Sequence, residues 1–177
     1  MKFWDQDRLE NNLNRINKNK IGILGGTFDP AHIGHIKISY EAKKRFALKK
    51  VIWAITRKNP FKKKSKLSLM QRIKFAKKLT NKKKFIKVSY YEDKINSNKT
   101  INLINFIKKK EINSKIYFIM GADNLVNFHK WSGWKEILSK CNILVFDRNN
   151  YKNKSLKSIA YKKYNKKRLE YINFKKV

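Results

Sequence analysis

Short apolar segments alternate with stretches of helical spacing along most of this chain, and this alternation limits the folds that it can adopt. Strands that alternate with helices form mostly parallel sheets, because each parallel return needs a crossover helix. We therefore expect an α/β fold, with a doubly wound, mostly parallel sheet of about five to six strands and helices on both faces. The predicted strands are Ile21–Leu24, Val51–Ile55, Phe85–Tyr91, Lys115–Met120 and Ile143–Phe146.

The segments between these strands carry helix signals. Ser68 is a good N-cap for a helix that runs to about Leu79, since Leu69, Ile73 and Ala76 follow it at helical spacing. The other predicted helices are Ile33–Ala47, Thr100–Lys109, Trp134–Ser139 and a short one around Leu156, Ile159 and Ala160. A last strand is expected at the end of the chain, from Phe174 to Val177.

The chain shows no internal repeat, and its pattern predicts one domain. Residues 1–19 are polar with few apolar positions, so we expect an N-terminal arm there and a single domain over residues 20–177. Ligands of parallel sheets bind beyond the carboxyl ends of the strands. Three loops are therefore the candidate functional segments: Gly25–His35, Thr56–Lys66 and Gly121–Trp134.

The first of these loops reads Gly-Gly-Thr-Phe-Asp-Pro-Ala-His-Ile-Gly-His and joins a predicted strand to a predicted helix. The N-terminus of a helix has unpaired N–H groups and carries about half a positive charge, which favours phosphate binding. His32 and His35 add two imidazoles that can donate hydrogen bonds to phosphate oxygens as charge builds during phosphoryl or nucleotidyl transfer. This turn predicts nucleotide chemistry.

The composition excludes several classes of protein. A chain of 177 residues with 41% hydrophobic residues can form a core. The sequence has no apolar run of about 18 residues and no signal-peptide pattern, so a cytoplasmic protein is expected. Cys141 is the single cysteine, which excludes an internal disulfide and a cysteine metal cluster.

The formal net charge of +33 would suit a nucleic-acid partner. However, the lysines are scattered along the whole chain, and the aromatic platforms of RNA-binding modules are missing from the sequence. We therefore favour a solvated basic surface that attracts anionic substrates over a nucleic-acid site, and expect no membrane partner; oligomeric state is left open.

The segment from Gly25 to His35 closely resembles the signature of the HxGH nucleotidyltransferase superfamily. The segment Phe118–Leu125 (Phe-Ile-Met-Gly-Ala-Asp-Asn-Leu), followed by Phe-His-Lys-Trp at 128–131, is similar to bacterial nicotinate-mononucleotide adenylyltransferases. The segment Val51–Ile55 with the following Asn-Pro-Phe-Lys, and Arg148, also fit this family. The resemblance covers roughly residues 20–150 and implies a Rossmann-like fold.

The resemblance also implies an activity in NAD biosynthesis. The phosphate of nicotinate mononucleotide (NaMN) would attack the α-phosphate of ATP, releasing pyrophosphate and forming nicotinate adenine dinucleotide (NaAD). Mg²⁺ would be carried by ATP, and no protein ligands are assigned to it. The catalytic residues would be His32 and His35, and the implied ATP-binding residues are Gly25, Gly26, Thr27, Phe28, His32, His35 and Asp123. The implied substrate-binding residues are Asn59, Lys62, Arg72, Thr100 and Trp131, with Trp131 stacking on the pyridine ring.

Two features depart from the family pattern. The family usually ends with a segment like Ile-Ser-Ser-Thr-x-Ile-Arg, and this chain stops about where that segment should begin, so the predicted domain lacks it. Lys99 stands before Thr100 where the family often has tyrosine. Two alternatives stay open: another adenylyl- or cytidylyltransferase of the superfamily, such as phosphopantetheine adenylyltransferase, or a catalytically impaired relative that binds nucleic acid.

Overall fold

Six parallel strands form one twisted sheet in the computed structural model, which describes residues 19–59, 64–148 and 150–174. The strand order across the sheet is β3-β2-β1-β4-β5-β6, and every neighbouring pair is parallel. The strands are β1 (Lys20–Gly26), β2 (Lys50–Ile55), β3 (Ile86–Tyr90), β4 (Lys115–Gly121), β5 (Asn142–Phe146) and β6 (Leu169–Ile172).

The helices lie between these strands, and several short ones join those that the sequence pattern predicts. They are α1 (Ile33–Phe46), α2 (Leu69–Thr80), α3 (Glu92–Ile95), α4 (Thr100–Lys110), α5 (Ala122–Val126), α6 (Trp134–Lys140), α7 (Lys152–Leu156) and α8 (Ile159–Tyr164), with a 3₁₀ turn at Phe128–Lys130. Ser68 caps α2 as expected, because its hydroxyl accepts a hydrogen bond from the N–H of Gln71 while the Gln71 side chain accepts from the Ser68 N–H.

Each face of the sheet has its own core, because alternate residues of a strand point to opposite faces. On β2, Ile52 and Ala54 join the core beneath α4 and α6, whereas Val51, Trp53 and Ile55 join the core beneath α1 and α2. The strands are therefore apolar on both sides, as a sheet covered by helices on both faces requires. The α/β fold with a parallel sheet and helices on both faces is confirmed.

The C-terminal part of the chain differs from the prediction. The sixth strand is Leu169–Ile172, which the sequence pattern did not indicate, and Phe174 lies beyond it outside any strand. The remainder of the predicted strand, residues 175–177, lies outside the described residues, as do residues 1–18 of the predicted arm. At the edge of the sheet, β6 pairs with β5 over only four residues. Exposed Glu170 follows buried Leu169, so the hydrophobic pattern of this strand is weak.

The topology places two of the candidate loops together. Strand order reverses between β1 and its neighbour β4: chain order runs from β1 to β3 on one side and from β4 to β6 on the other. In open α/β sheets, such a switch point opens a crevice beyond the carboxyl ends of the two central strands. The loop after β1 and the segment after β4 both begin at this edge, where the sequence predicts the ligand.

Candidate nucleotide-binding site

The glycines that end β1 allow a close approach between neighbouring strands. A Cβ atom on Gly25 would lie 3.0 Å from the ring of Phe118 on β4. After Gly26 the chain turns through Phe28, a non-glycine residue with a φ of 50° whose ring is 2% exposed. The buried ring of Phe28 thus anchors the turn in the core. Burial of this ring compensates for the unfavourable backbone conformation of Phe28.

His32 and His35 form a reciprocal cap at the start of α1. His32 is the N-cap residue, and its Nδ1 accepts a hydrogen bond from the N–H of Gly34 at 3.2 Å. His35 lies one turn further on, and its Nδ1 accepts from the N–H of His32 at 3.2 Å. The two imidazoles therefore replace the usual serine and glutamate of a capping box.

This cap defines which ring nitrogen carries the proton. A nitrogen that accepts a hydrogen bond has no proton of its own, so both neutral imidazoles have their proton on Nε2. The ring centroids of His32 and His35 are 4.0 Å apart, so the two imidazoles lie together at the helix N-terminus. Such a pair, together with the helix dipole, can stabilise negative charge on a phosphate.

Aromatic packing orients the inner imidazole. The ring of His35 lies 4.7 Å from that of Phe28 and 5.8 Å from that of Trp53, and Phe28 and Trp53 stack on each other at 4.9 Å. Trp53 is fully buried in the middle of β2. The imidazole of His35 thus packs against aromatic rings of the core, which fix its orientation.

Asp29 connects the first candidate loop to the second. Its carboxylate accepts hydrogen bonds from the N–H groups of Lys66 and Leu67, the latter at 3.0 Å. These are the residues just before α2. Asp29 therefore acts as a loop anchor, which is the turn role that its place before a proline favours.

Arg72 lies beneath the two candidate loops and connects them. Its side chain is 2% exposed, and its guanidinium donates to main-chain carbonyls of both candidate loops. These acceptors are Leu67, Thr27 (2.6 Å), Thr56 (2.8 Å) and Arg57 (3.0 Å). These hydrogen bonds brace the loops after β1 and β2, and the substrate contact of Arg72 stays a prediction. The sequence showed a basic residue near the site but gave no sign that it is buried.

Asp123 lies at the start of α5, just after β4. Its carboxylate is 11% exposed and forms an ion pair with Arg148 at 2.9 Å, which links the ends of β4 and β5. A Cβ atom on Gly121 would lie 2.5 Å from the Asp123 Oδ1 atom, so this carboxylate position requires a glycine there. The position beside the switch point is compatible with the predicted ATP contact.

Trp131 belongs to an aromatic cluster on the same side of the sheet. Its half-buried indole meets Phe128 edge-on at 5.4 Å and Phe118 at 6.1 Å. Phe118 is also the ring that a Cβ atom on Gly25 would meet at 3.0 Å. One aromatic ring thus separates the predicted pyridine-stacking residue from the glycine turn.

A small pocket lies beside the N-terminus of α4, where Thr100 is the first helical residue. Its lining includes Thr56 at the end of β2, Glu92 and Thr100. Burial raises the pKa of the Glu92 carboxyl, although the N–H of Arg57 opposes this shift by donating to it. Asn59 lies in the loop after β2, and Lys62 lies outside the described residues.

The described residues also bear on three other possibilities: a metal site, a membrane-spanning helix and a reactive cysteine. Within residues 19–59, 64–148 and 150–174, no group of three or more His, Cys, Asp or Glu side chains could hold a metal ion. Among the helices of that part of the chain, none is long and apolar enough to cross a membrane. Cys141 is buried, which raises the pKa of its thiol to about 12.

Comparison with known proteins agrees with this geometry. The cytidylyltransferase-like family profile matches residues 23–171. A protein of Pelagibacter ubique, named probable nicotinate-nucleotide adenylyltransferase, is 64% identical over 168 residues, which cover 95% of this chain and 92% of the relative. The chain belongs to the nicotinate-nucleotide adenylyltransferase family. A second member with the same name, from Agrobacterium fabrum, is 37% identical and covers 72% of this chain and 68% of its own.

Solved structures share the fold of this nicotinate-nucleotide adenylyltransferase family member. The nicotinic acid mononucleotide adenylyltransferase of Plasmodium falciparum complexed with APC has a TM-score of 0.70 at 18% identity, and covers 90% of this chain and 76% of its own. Its complex with NaAD has a TM-score of 0.69. The family resemblance expected from the glycine–histidine turn and the Gly121–Trp131 segment is confirmed.

Proposed function

We propose that this chain transfers the adenylyl group of ATP to nicotinate mononucleotide, as a step of NAD biosynthesis. A phosphate oxygen of NaMN attacks the α-phosphorus of ATP, a new P–O bond forms, and the bond to the β-phosphate oxygen breaks. The products are NaAD and pyrophosphate. Mg²⁺ enters as part of the MgATP substrate.

The reciprocal cap of His32 and His35 is the observation that carries this proposal. It holds two Nε2–H donors beside a helix N-terminus, at the switch point of a parallel sheet. Negative charge grows on the oxygens of the α- and β-phosphates as pyrophosphate leaves, and fixed donors stabilise this charge without reorganising. No covalent intermediate is needed, so binding geometry and charge supply the rate.

We assign roles to the remaining predicted residues as follows. Gly25, Gly26, Thr27 and Phe28 would form the main-chain cradle for ATP, and Asp123 would bind a ribose hydroxyl. Asn59, Lys62, Thr100 and Trp131 would bind NaMN, with the pyridine ring against the indole. The 64% identity with the Pelagibacter relative supports NaMN as the acceptor.

The test is an acceptor comparison with the full chain. Purified protein is given MgATP with NaMN, nicotinamide mononucleotide or phosphopantetheine, and both pyrophosphate and the dinucleotide product are measured. We expect NaAD with NaMN, and a fall in kcat of about a hundredfold or more for His32→Ala and His35→Ala, against a loss of Tm of only a few degrees from the broken helix cap.

Two results would contradict the proposal. Preferred turnover with phosphopantetheine would assign the chain to another reaction of the superfamily. RNA binding that weakens steeply with salt, in a chain that neither binds ATP nor forms NaAD, would favour a nucleic-acid-binding relative.

A further inference from the structure

A buried hydrogen-bonded chain connects the middle of the sheet to His35. The indole Nε1–H of Trp53 donates to the hydroxyl of Ser39 at 2.8 Å, and this hydroxyl donates to the main-chain carbonyl of His35 at 2.8 Å. Trp53 and Ser39 are both fully buried. This series of hydrogen bonds runs from β2, through the second turn of α1, to the helical turn that carries both imidazoles.

We propose that Trp53 and Ser39 form a positioning relay that holds the His35 imidazole in place for adenylyl transfer. This inference rests on the proposed function and extends it from the phosphate-contacting residues to the residues that support them. Neither relay residue touches substrate in this proposal; both act through His35.

Trp53 supports His35 in two ways. Its N–H fixes the first turn of α1 through Ser39, and its ring stacks on Phe28, which in turn packs against the imidazole. The Ser39 hydroxyl has one proton, and donating it to His35 leaves the oxygen free to accept from the indole. The directions of the two hydrogen bonds are therefore consistent with each other. Together they attach the first turn of α1 to β2.

A simpler role for Ser39 is to satisfy a buried indole N–H, since serine often bonds the carbonyl four residues back in a helix. The two roles predict different kinetics. A group that only satisfies the indole changes stability, whereas a relay changes kcat. An imidazole misplaced by a fraction of an ångström loses transition-state contact but leaves ground-state binding largely intact.

The experiment compares Trp53→Phe, Ser39→Ala and the double variant with wild type, using the full chain. Trp53→Phe keeps the aromatic stack and removes the N–H, and Ser39→Ala removes the hydroxyl. We expect each single variant to lower kcat about tenfold, with KM for ATP and NaMN changed by less than about twofold. The double variant should be no slower than the slower single variant, because both changes interrupt the same link.

The control is a core substitution far from the turn. Ile107 is buried near the C-terminal end of α4, so Ile107→Val or Ile107→Ala can be chosen to match the loss of Tm. If the matched Ile107 variant loses as much kcat as the relay variants, or if the two relay changes multiply in the double variant, the relay is overturned.

A readout without substrate separates this inference from the proposed function. The sequence has three histidines, so ¹⁵N signals of their imidazoles can be assigned by substitution. We expect one tautomer for His35 in wild type and in the Ile107 variant, and a mixture in Trp53→Phe and Ser39→Ala. Unchanged His35 signals in both relay variants would contradict the relay. Absence of NaAD formation by wild type would instead contradict the proposed function alone.

Discussion

Gly34 shows how closely the two imidazoles are fitted to the helix start. It is the residue between His32 and His35, and its N–H donates to the His32 Nδ1. A Cβ atom there would lie 2.9 Å from the His32 Cε1 and 3.0 Å from its Nδ1. These distances are shorter than a carbon contact allows, so any larger residue must displace the His32 ring.

Gly34→Ala should therefore damage turnover more than folding. Alanine is about 1 kcal/mol better than glycine inside a helix, which offsets part of the lost cap, so Tm should change little. The displaced His32 should lower kcat by about tenfold or more. Steady-state kinetics beside thermal unfolding check this, with Lys44→Ala near the other end of α1 as the control. A Gly34→Ala enzyme with wild-type kcat would show that the His32 position is not critical.

Individual residues of the site show what a sequence can and cannot predict. The glycine–histidine turn was predictable because a helix cap depends on residues a few positions apart. The role of Arg72 was not, because its carbonyl acceptors at Thr27 and Thr56 come from other parts of the chain and only the fold brings them together. Trp53 lies in a predicted strand, but its bond to Ser39 depends on the packing of α1 against β2.

At the level of elements, β6 is the part of the fold that the pattern did not indicate. It has four residues and lies among lysines, so hydrophobic periodicity is a poor guide there. Tertiary contacts define it instead. Tyr171 on β6 donates a hydrogen bond to Asp147, which follows β5, at 2.7 Å. Burial and this hydrogen bond raise the pKa of Tyr171 to about 12.

The raised pKa predicts an alkaline loss of stability. In the unfolded chain Tyr171 ionises near its ordinary pKa of about 10, whereas in the folded protein it keeps its proton to about pH 12. Between these values the folded state binds more protons, so the free energy of unfolding falls as pH rises. Below about pH 10 the contribution is constant.

Tyr171→Phe should lower the free energy of unfolding by about 1–2 kcal/mol near pH 8, through loss of the bond to Asp147. The difference from wild type should narrow as pH rises from about 10 to about 12. Urea unfolding at several pH values measures this. Tyr151→Phe is the control, since Tyr151 is 39% exposed and should track wild type. A Tyr171→Phe deficit that stays constant across this range would contradict the raised pKa.

At the level of the whole molecule, charge is far from balanced. The sequence has 45 lysines and arginines against 12 acidic residues, so most cations have no acid to pair with. The described ion pairs include exposed ones such as Arg57–Asp93, and pairs of this kind contribute about 1 kcal/mol or less. Repulsion among the cations therefore outweighs attraction in exposed pairs, and salt screens both.

Added salt should accordingly stabilise the folded protein. We expect Tm to rise between about 50 mM and about 500 mM NaCl, over which the screening length falls from about 14 Å to about 4 Å.

Replacing Lys82, Lys83 and Lys84, which are exposed before β3, with glutamine should raise Tm at low salt and reduce the increase of Tm with salt. Thermal unfolding of both proteins across the salt series gives the comparison. A Tm that falls with salt would mean that ion pairs, rather than repulsion, dominate the electrostatics of this fold. A triple variant with an unchanged salt response would place the repulsion elsewhere than in this lysine cluster.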